Sequence, residues 1–527
     1  MSRKLWWRLG AVFVVLGAVA ALTAGCGGGG SSGGGGSSSG DTLVDGTTDS
    51  VTNIDPAGNY DFGSATVDYQ IFQHLLEAGP GSTTPHPVLA TKCEFTGGGL
   101  TTYSCQLRKG VKFHNGKTMT SADVVWSFNR VVKIQDESGI YTLLSNMKSV
   151  EPNGDYGVVF HLKAPQATWP DILTTGAAQI VPKGTYPANK LRPNASAQYG
   201  TGPYQLTQYT PGQQAVFKKF DDYWGDAPKT SNLIIRYYTK SSTMKLALEN
   251  GDIDMAFRTF TPTELMSFSK DSNIVVHKGP GSEIRYLVLN VKRVPTNQPA
   301  VRKAIAYLMP RQDIVNRVYN DTVRPLYTMV PAGFPGHDEA FKSTYGASPE
   351  QSAAKSALSS AGIKTPVNLT LWYTPTHYGD SSADEFAEIQ RALQTSGLFK
   401  VTLKSAEWAQ YSDALGKQYG AFQLGWFPDY PDGENYLLPF YDSKSNFTSN
   451  NYVNPQMDSL LAKEQATKAK QTRDDLIMQA QKIAAQDAPI IPYWQGSMIA
   501  VSHDNVQGID QTLDPTFIMR FWLISKS

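Results

Sequence analysis

Histidine, a common metal ligand in proteins, is spread too thinly along this chain to form a local metal-binding motif. The two closest histidines, His74 and His86, are 12 positions apart. Metal-binding motifs place two histidines a few residues apart so that both rings reach one ion. The sequence therefore predicts no metal site. The eight histidines occupy positions 74, 86, 114, 161, 277, 337, 377 and 503.

Nucleophile and phosphate motifs are present only as fragments. The Ser-x-x-Lys spacing occurs without a Lys-Thr-Gly partner, and the chain has no Gly-x-Ser-x-Gly turn. Gly116-Lys117-Thr118 matches the end of a phosphate-binding loop, but Val111 stands where that loop needs its first glycine. A calcium loop from 429 to 435 is disfavoured because Pro431 and Gly433 replace oxygen-bearing side chains. We expect no enzyme activity and no cofactor.

The N-terminus has the layout of a signal peptide. Arg3, Lys4 and Arg8 precede an apolar stretch, 9 to 22, which is too short for a permanent membrane span. The stretch ends in LTAGC, which resembles the lipobox of bacterial lipoproteins, whose cysteine is lipidated and becomes the mature N-terminus. We expect residues 1 to 25 to be removed and Cys26 to carry the lipid. The alternative is an ordinary secreted protein with an unrelated cysteine.

A flexible tether is predicted immediately after this cysteine. Residues 27 to 40 are only glycine and serine, and fourteen such residues reach about 20 Å on average. Two acyl chains on Cys26 would hold a protein stably at a membrane, whereas one chain binds only marginally. We therefore expect a globular body at the extracytoplasmic face of the cell membrane.

The composition of residues 41 to 527 limits the fold and the class of partner. This length exceeds what one hydrophobic core usually serves, so at least two lobes are expected. The 47 Lys and Arg residues balance 46 Asp and Glu residues, which favours no nucleic-acid partner. Beyond residue 22 no apolar run is long enough to span a bilayer.

Two cysteines remain after Cys26. In an oxidising compartment Cys93 and Cys105 should form a disulfide, and the glycine-rich segment between them suits a hairpin that brings them together. A free reactive pair or a metal site is the other interpretation, but no histidine stands at ligand spacing.

Helical and strand patterns alternate along the body and predict an α/β fold. Thr120 has the type and spacing of a helix N-cap with Asp123 three residues on. Further helices are predicted at 299–320, 349–361, 382–396 and within 454–487, and strands at 367–373 and 401–404.

Five segments together resemble the family 5 extracytoplasmic solute-binding proteins of ATP-driven importers, which bind oligopeptides, dipeptides or nickel. The resemblance covers nearly all of the body. The segments are LRKGVKFHNGKTMTSADVVWSFNRV (107–131), GTGPYQLTQYTPGQQAVFKKFDDYWG (200–225), VRKAIAYLMPRQDIV (301–315), FQLGWFPDYPDGENYLLPFY (422–441) and APIIPYW (488–494).

The resemblance implies a two-lobed periplasmic-binding-protein-like fold, type II, with an extra subdomain in the first lobe. By this analogy the first lobe comprises 41–290 and 503–527, the subdomain lies near 65–198, and the second lobe is 291–502. Ligand would be enclosed between the lobes.

The resemblance also implies a ligand site. Peptide binders of the family carry Gly-Trp-x-x-Asp, whose carboxylate pairs with the peptide ammonium, and here the motif ends at Asp429 with Trp426 as its tryptophan. Some relatives carry arginine three residues before that tryptophan, where it can meet a peptide carboxylate, but this chain has Gln423. Recognition of a C-terminal carboxylate is therefore open. Further pocket candidates are Trp408, His377, Tyr493 and Trp494.

These features together predict a monomeric solute receptor that captures oligopeptides and delivers them to an ABC permease with its ATPase subunits. The permease and ATPases are implied by the resemblance alone. The alternatives are a receptor for a nickel chelate, an oligosaccharide or another solute, a secreted hydrolase, and a peptide sensor without transport.

Overall fold

The computed structural model describes residues 41–445 and 447–527. The predicted signal peptide, Cys26 and the glycine/serine tether lie outside the described residues. Within the described part, no helix has the length and apolar character needed to cross a membrane.

Nineteen β-strands are found in the described chain, most of them in one mixed sheet. Its order is β15-β14-β16-β12-β17-β11-β1-β10-β9-β8, and β13 pairs with β17. The strands are β1 Thr42–Thr47, β2 Leu76–Ala78, β3 Pro85–Pro87, β4 Ala90–Phe95, β5 Thr102–Leu107, β6 Met147–Pro152, β7 Gly157–Leu162, β8 Tyr204–Thr210, β9 Gln214–Lys219, β10 Asn232–Tyr237, β11 Met255–Phe257, β12 Ile274–Leu289, β13 Arg324–Pro325, β14 Val367–Tyr373, β15 Phe399–Ser405, β16 Ala421–Trp426, β17 Ile490–His503, β18 Val506–Gln507 and β19 Ser525–Lys526.

Fifteen α-helices in the described residues pack around these strands. They are α1 Phe62–Ile71, α2 Ser121–Ile134, α3 Trp169–Ile172, α4 Ser241–Glu249, α5 Pro262–Phe268, α6 Pro299–Leu308, α7 Arg311–Asp313, α8 Ala340–Tyr345, α9 Gln351–Ser360, α10 Pro375–Tyr378, α11 Ser381–Thr395, α12 Trp408–Ala414, α13 Leu438–Tyr441, α14 Pro455–Gln465 and α15 Lys470–Asp487.

Two long antiparallel strands, β12 and β17, join the two sides of the large sheet. On one side lie β1 and β8 to β11, here called the first lobe, and on the other lie β14 to β16, here called the second lobe. β17 and the second half of β12 are mostly apolar and buried, as strands covered on both faces must be. The expected α/β class and two-lobed architecture are confirmed, while the exact lobe limits remain predictions.

A smaller sheet of order β4-β5-β7-β6 forms a separate layer in the first-lobe part of the chain. Cys93 and Cys105 are directly opposite in the β4–β5 hairpin and form the expected disulfide. Helix α2 packs on this sheet and begins with the predicted capping box, in which Asp123 bonds the backbone N–H of Thr120 at 2.9 Å. Both features follow from local sequence, because each joins residues close along the chain.

Most predicted helices of the second lobe are confirmed, but one predicted helix is longer than the observed one. Helices α9 and α11 end before Gly362 and Gly397, whose φ angles of 67° and 70° suit glycine. The helix predicted at 299–320 instead ends at Leu308. Pro310 lacks the N–H that a continuous helix needs, so a short α7 and a π-helical turn, Ile314–Val318, follow.

Candidate functional site

A cavity of about 730 Å³ lies between the two lobes. This volume is within the range of ligand-binding clefts and would hold roughly two dozen waters. Its walls are largely aromatic and include Tyr60, Phe62, Tyr378, Trp408, Trp426 and Phe427. Its charged lining residues are Asp61, Arg258, Glu283, Arg285 and Asp429. Positively and negatively charged side chains thus line the same cavity, which suits a ligand with both positive and negative charges.

Asp429 is fixed at one wall of this cavity by hydrogen bonds to both of its carboxylate oxygens. The hydroxyl of Tyr60 donates to Oδ1, and the amide of Asn435 donates to Oδ2 at 3.4 Å. Burial raises the pKa of Asp429, and the two hydrogen bonds oppose that change. Because burial has removed water from this carboxylate, a positively charged ligand group could bind it as a strong ion pair.

The side chain of Asn435 holds both Trp426 and Asp429 in place. Asn435 Oδ1 accepts hydrogen bonds from Trp426 Nε1 at 3.2 Å and from the backbone N–H of Asp429 at 2.8 Å. Trp426 is the last residue of β16, is only 9% exposed, and packs edge-to-face on Phe440 and Phe447. The tryptophan therefore forms a rigid wall beside the carboxylate.

Trp408 and His377 are brought together at another wall. Their rings stack with centroids 3.7 Å apart and planes 9° apart. Burial, helped by the charge of Arg285, lowers the pKa of His377 to about 4. His377 is therefore neutral near pH 7 and supplies an aromatic face and a hydrogen-bonding nitrogen.

Arg285 contributes a buried positive charge to the same cavity. Its Nη1 lies 2.6 Å from Glu283 Oε1, and its guanidinium lies 4.2 Å from the ring centre of Tyr378. The hydroxyl of Tyr378 in turn accepts a hydrogen bond from the backbone N–H of Gly425 at 2.9 Å. Burial lowers the pKa of Arg285, but the charge of Glu283 and nearby groups more than offsets it, so the pKa is raised overall.

Arg258 is the second cation of the lining and comes from the first lobe. Its guanidinium lies 4.3 Å from the ring centre of Phe62 and 5.6 Å from that of Phe427. Asp49 is its ionic partner at 3.8 Å. Because Phe427 belongs to the second lobe, this stack links the lobes across the cavity.

Three of the sequence-predicted site residues do not line the cavity. Gln423, Tyr493 and Trp494 converge instead on Glu385, to which they donate at 2.8, 2.9 and 2.7 Å. Glu385, Gln423 and Tyr493 are fully buried. These side chains satisfy a buried carboxylate, which would otherwise be costly, so in this conformation they face protein and not the cleft. Trp494 still contacts the cavity indirectly, since its ring lies 4.9 Å from the guanidinium of Arg285.

Sequence reasoning missed Tyr60, Arg258, Glu283 and Arg285. One signal was present for Arg285, which interrupts the apolar run from 284 to 289 in a strand that is otherwise buried. A charge in such a strand is expected to have a function or a partner. Tyr60 gave no comparable signal, because it stands in a loop of mixed composition.

No group of three or more metal-ligating side chains is assembled in residues 41–445 and 447–527. The charged groups that line the cavity are carboxylates and guanidinium groups.

Comparison with known proteins identifies the chain's relatives. The model of the bacterial extracellular solute-binding proteins, family 5, matches residues 84–448. A dipeptide-binding protein of Escherichia coli strain K12 is 26% identical over 455 residues, which cover 80% of this chain and 83% of that protein.

Solved structures share the fold. The periplasmic binding protein DppA of Helicobacter pylori, associated with an ABC transporter and solved with the peptide STSA, has a TM-score of 0.75 at 24% identity. The alignment covers 92% of this chain and 98% of that one. The ABC transporter substrate-binding protein CtaP of Listeria monocytogenes has a TM-score of 0.81 at 20% identity, covering 92% and 99%.

Proposed function

Because the chain belongs to the bacterial extracellular solute-binding proteins of family 5, we propose that it captures oligopeptides between its lobes and delivers them to an ABC permease. The observation that carries the proposal is the cavity between the lobes, where Asp429 faces the same space as Arg258 and Arg285. A peptide presents an ammonium group, a carboxylate and a polar backbone, and this lining offers a partner to each charge. The similarity to a dipeptide-binding protein supports the same ligand class.

Within this proposal Asp429 pairs with the peptide ammonium. Trp426 and the Trp408–His377 stack hold the peptide between aromatic surfaces. Contacts of this kind tolerate different side chains, as a receptor for varied peptides requires. The protein acts as a monomer, binds without changing the solute, and needs no cofactor.

The proposal also places the protein at the extracytoplasmic face of the cell membrane. Cys26 carries the lipid anchor, and the tether from 27 to 40 lets the body reach the permease, whose ATPase subunits drive import. The charge-then-apolar N-terminus and the LTAGC segment support this placement.

Native mass spectrometry of the purified mature protein tests the function directly. We expect one small solute per protein, and fragmentation of the released solute should give a peptide sequence. A metal chelate or an oligosaccharide in its place would refute the peptide assignment. Incubation with a defined peptide mixture should return every peptide intact, whereas new fragments would indicate a hydrolase.

Transport is tested separately in the producing cell. Deleting the coding sequence should abolish uptake of a labelled peptide that the purified protein binds. Unchanged uptake combined with altered peptide-dependent gene expression would instead support the sensor alternative.

A further inference from the structure

Arg285 reaches the cavity because its cross-strand neighbour is a glycine. In the antiparallel pairing of β12 and β16, Arg285 lies directly opposite Gly425. A Cβ atom on Gly425 would lie 2.2 Å from Nη1 of Arg285 and 2.8 Å from its Cζ. Such contacts are far inside van der Waals distance. Any other residue at 425 would therefore force the guanidinium out of its place.

The guanidinium is held rigidly once it is there. Arg285 is only 6% exposed. Glu283 pairs with it on one side, and the rings of Tyr378 and Trp494 lie 4.2 and 4.9 Å from its central carbon. An arginine fixed by rings and one counter-ion loses little freedom when it binds a further partner.

Part of its hydrogen-bonding capacity is unused. Among the described residues, Glu283 and a long contact of 3.5 Å to the carbonyl of Ile284 engage only Nη1. Nε is buried and has no hydrogen-bond partner, and within residues 41–445 and 447–527 no protein acceptor bonds Nη2, so Nη2 is the nitrogen left for a ligand. The two N–H groups on Nη2 can donate charge-assisted hydrogen bonds to a carboxylate.

We infer that Arg285 binds the ligand's C-terminal carboxylate and makes the receptor selective for short peptides with a free C-terminus. This inference rests on the proposed peptide-binding function. Gln423 does not bind this carboxylate, because its amide is uncharged and is buried against Glu385. The anion-binding group thus stands on the neighbouring strand β12, at the position that Gly425 leaves open.

The spacing of Arg285 and Asp429 suits a short peptide. Arg285 lies opposite Gly425, and Asp429 follows Gly425 by four residues. Four residues span at most about 14 Å when fully extended. The Cα atoms of Gly425 and Asp429 are therefore at most that far apart, so the two charged side chains lie close enough to bind the two ends of a short peptide.

Arg258 is the competing candidate for the same role. It is wedged among the rings of Phe62, Phe427 and Phe517 and pairs with Asp49 outside the cavity lining. That setting suits a link between the lobes. Arg285 is preferred because its side chain is more deeply buried and is held between Glu283 and the rings of Tyr378 and Trp494.

Calorimetry with matched peptides on the mature protein tests the inference. The first probe is a tripeptide identified as a ligand, the second is its C-terminal amide, and the third is an amide with an acidic C-terminal side chain. We expect the first amide to bind the wild type at least about tenfold more weakly than the free acid, as loss of a charged hydrogen-bonded pair predicts. The acidic amide should not recover that loss.

Three variants identify the group that binds the peptide carboxylate. The double variant Glu283→Gln/Arg285→Gln removes the pair without leaving Glu283 unpaired, and it should bind acid and amide alike. Gly425→Ala keeps the arginine but displaces it, so it should also lose the preference. Arg258→Gln should keep the acid-to-amide ratio of the wild type, whatever its absolute affinity.

The outcomes separate this inference from the proposed function. Equal binding of acid and amide to the wild type, or a preference that survives in the double variant, would overturn the role of Arg285 while peptide binding stands. Recovery by the acidic amide would overturn the assignment to the C-terminus. If no peptide binds the wild type, the proposed function itself fails. Circular dichroism and a melting curve verify that each variant is folded before its binding is compared.

Discussion

The hydroxyl of Tyr60 donates a hydrogen bond to Oδ1 of Asp429 across the cleft, although the two residues are 369 positions apart in the chain. Tyr60 belongs to the loop before α1, and Asp429 follows β16 of the second lobe. The carboxylate proposed to receive the ligand ammonium is thus already bonded to the opposite lobe. A ligand that binds Asp429 must displace or share this phenol.

Tyr60→Phe tests that competition. We expect the variant to bind peptide several-fold more tightly, because a hydrogen bond to a charged group contributes about 1.5 to 3 kcal/mol at most and the ligand would no longer have to break it. Isothermal calorimetry with one peptide against both proteins measures the difference. Weaker binding by the variant would mean that the Tyr60 hydroxyl contacts the ligand directly.

Asp429→Asn tests the ammonium anchor. The substitution keeps the shape of the side chain but removes its charge, and an unpaired buried ammonium costs roughly 3 to 5 kcal/mol. Peptide affinity should fall by about a hundredfold to several thousandfold. The companion measurement uses an N-acetylated peptide, which should lose much affinity for the wild type and little for Asp429→Asn. An equal loss for both proteins would place the ammonium elsewhere.

A buried cluster of charged side chains where α3 meets the 432–473 region should make stability depend on pH. Arg473 donates to Asp432 at 3.0 Å and lies 2.5 Å from Glu464. Asp171, on α3, lines a surface groove together with Asp432 and Arg473. Burial raises the pKa of Glu464 to about 7, and burial together with the charge of Asp432 raises that of Asp171. Glu434, also buried in this cluster, has its pKa raised by burial as well. Lys468 and Lys470 face the groove as further positive charges.

The direction of the effect follows from these raised values. A carboxyl group with a raised pKa in the folded protein favours folding below its ordinary pKa, and this contribution is lost as pH rises through the folded value. We expect the free energy of unfolding to fall by at least about 1 kcal/mol between pH 4.5 and 7, and Asp171→Asn to fall less. Melting temperatures across this range measure it, with the exposed Asp155→Asn as the control. A profile for Asp171→Asn identical to that of the wild type would contradict the prediction.

Removing the disulfide should destabilise the small sheet. The bond closes a loop with a sequence separation of 12 residues, for which chain entropy predicts about 3 kcal/mol. The variant Cys93→Ala/Cys105→Ala should melt at a lower temperature than the wild type, and reductant should affect only the wild type. Two thiols that react without denaturant and reductant would show that the bond does not form in the exported protein.

Cys26→Ser tests the lipid anchor, which lies outside the described residues. Without the thiol no lipid can be attached, so the variant should be shed into the medium or retained as the precursor. Cell fractionation and metabolic labelling with a fatty acid measure both properties. Recovery of the variant with acyl chains in the membrane fraction would contradict the lipobox assignment.

The sequence by itself determined the features whose partners are close along the chain. The capping box of Thr120 and Asp123, the hairpin joining Cys93 and Cys105, and, to within one residue, the ends of the helices at 349–361 and 382–396 were all predicted. Such features depend on hydrogen bonds and φ angles set within a few residues, so residue types alone indicate them. The family motif also led to Asp429 and Trp426, both of which line the cavity.

Only the tertiary structure decided which distant side chains share the cleft. It brought Tyr60 to Asp429 and Arg285 over Gly425, and it turned Gln423 and Tyr493 toward Glu385. The motif spacing could not predict this last result, because side chains point to alternating faces of a strand and the register of β12, β16 and β17 fixes which face meets the cavity. That register is set by pairing between segments more than a hundred residues apart, and local sequence carries no direct record of it.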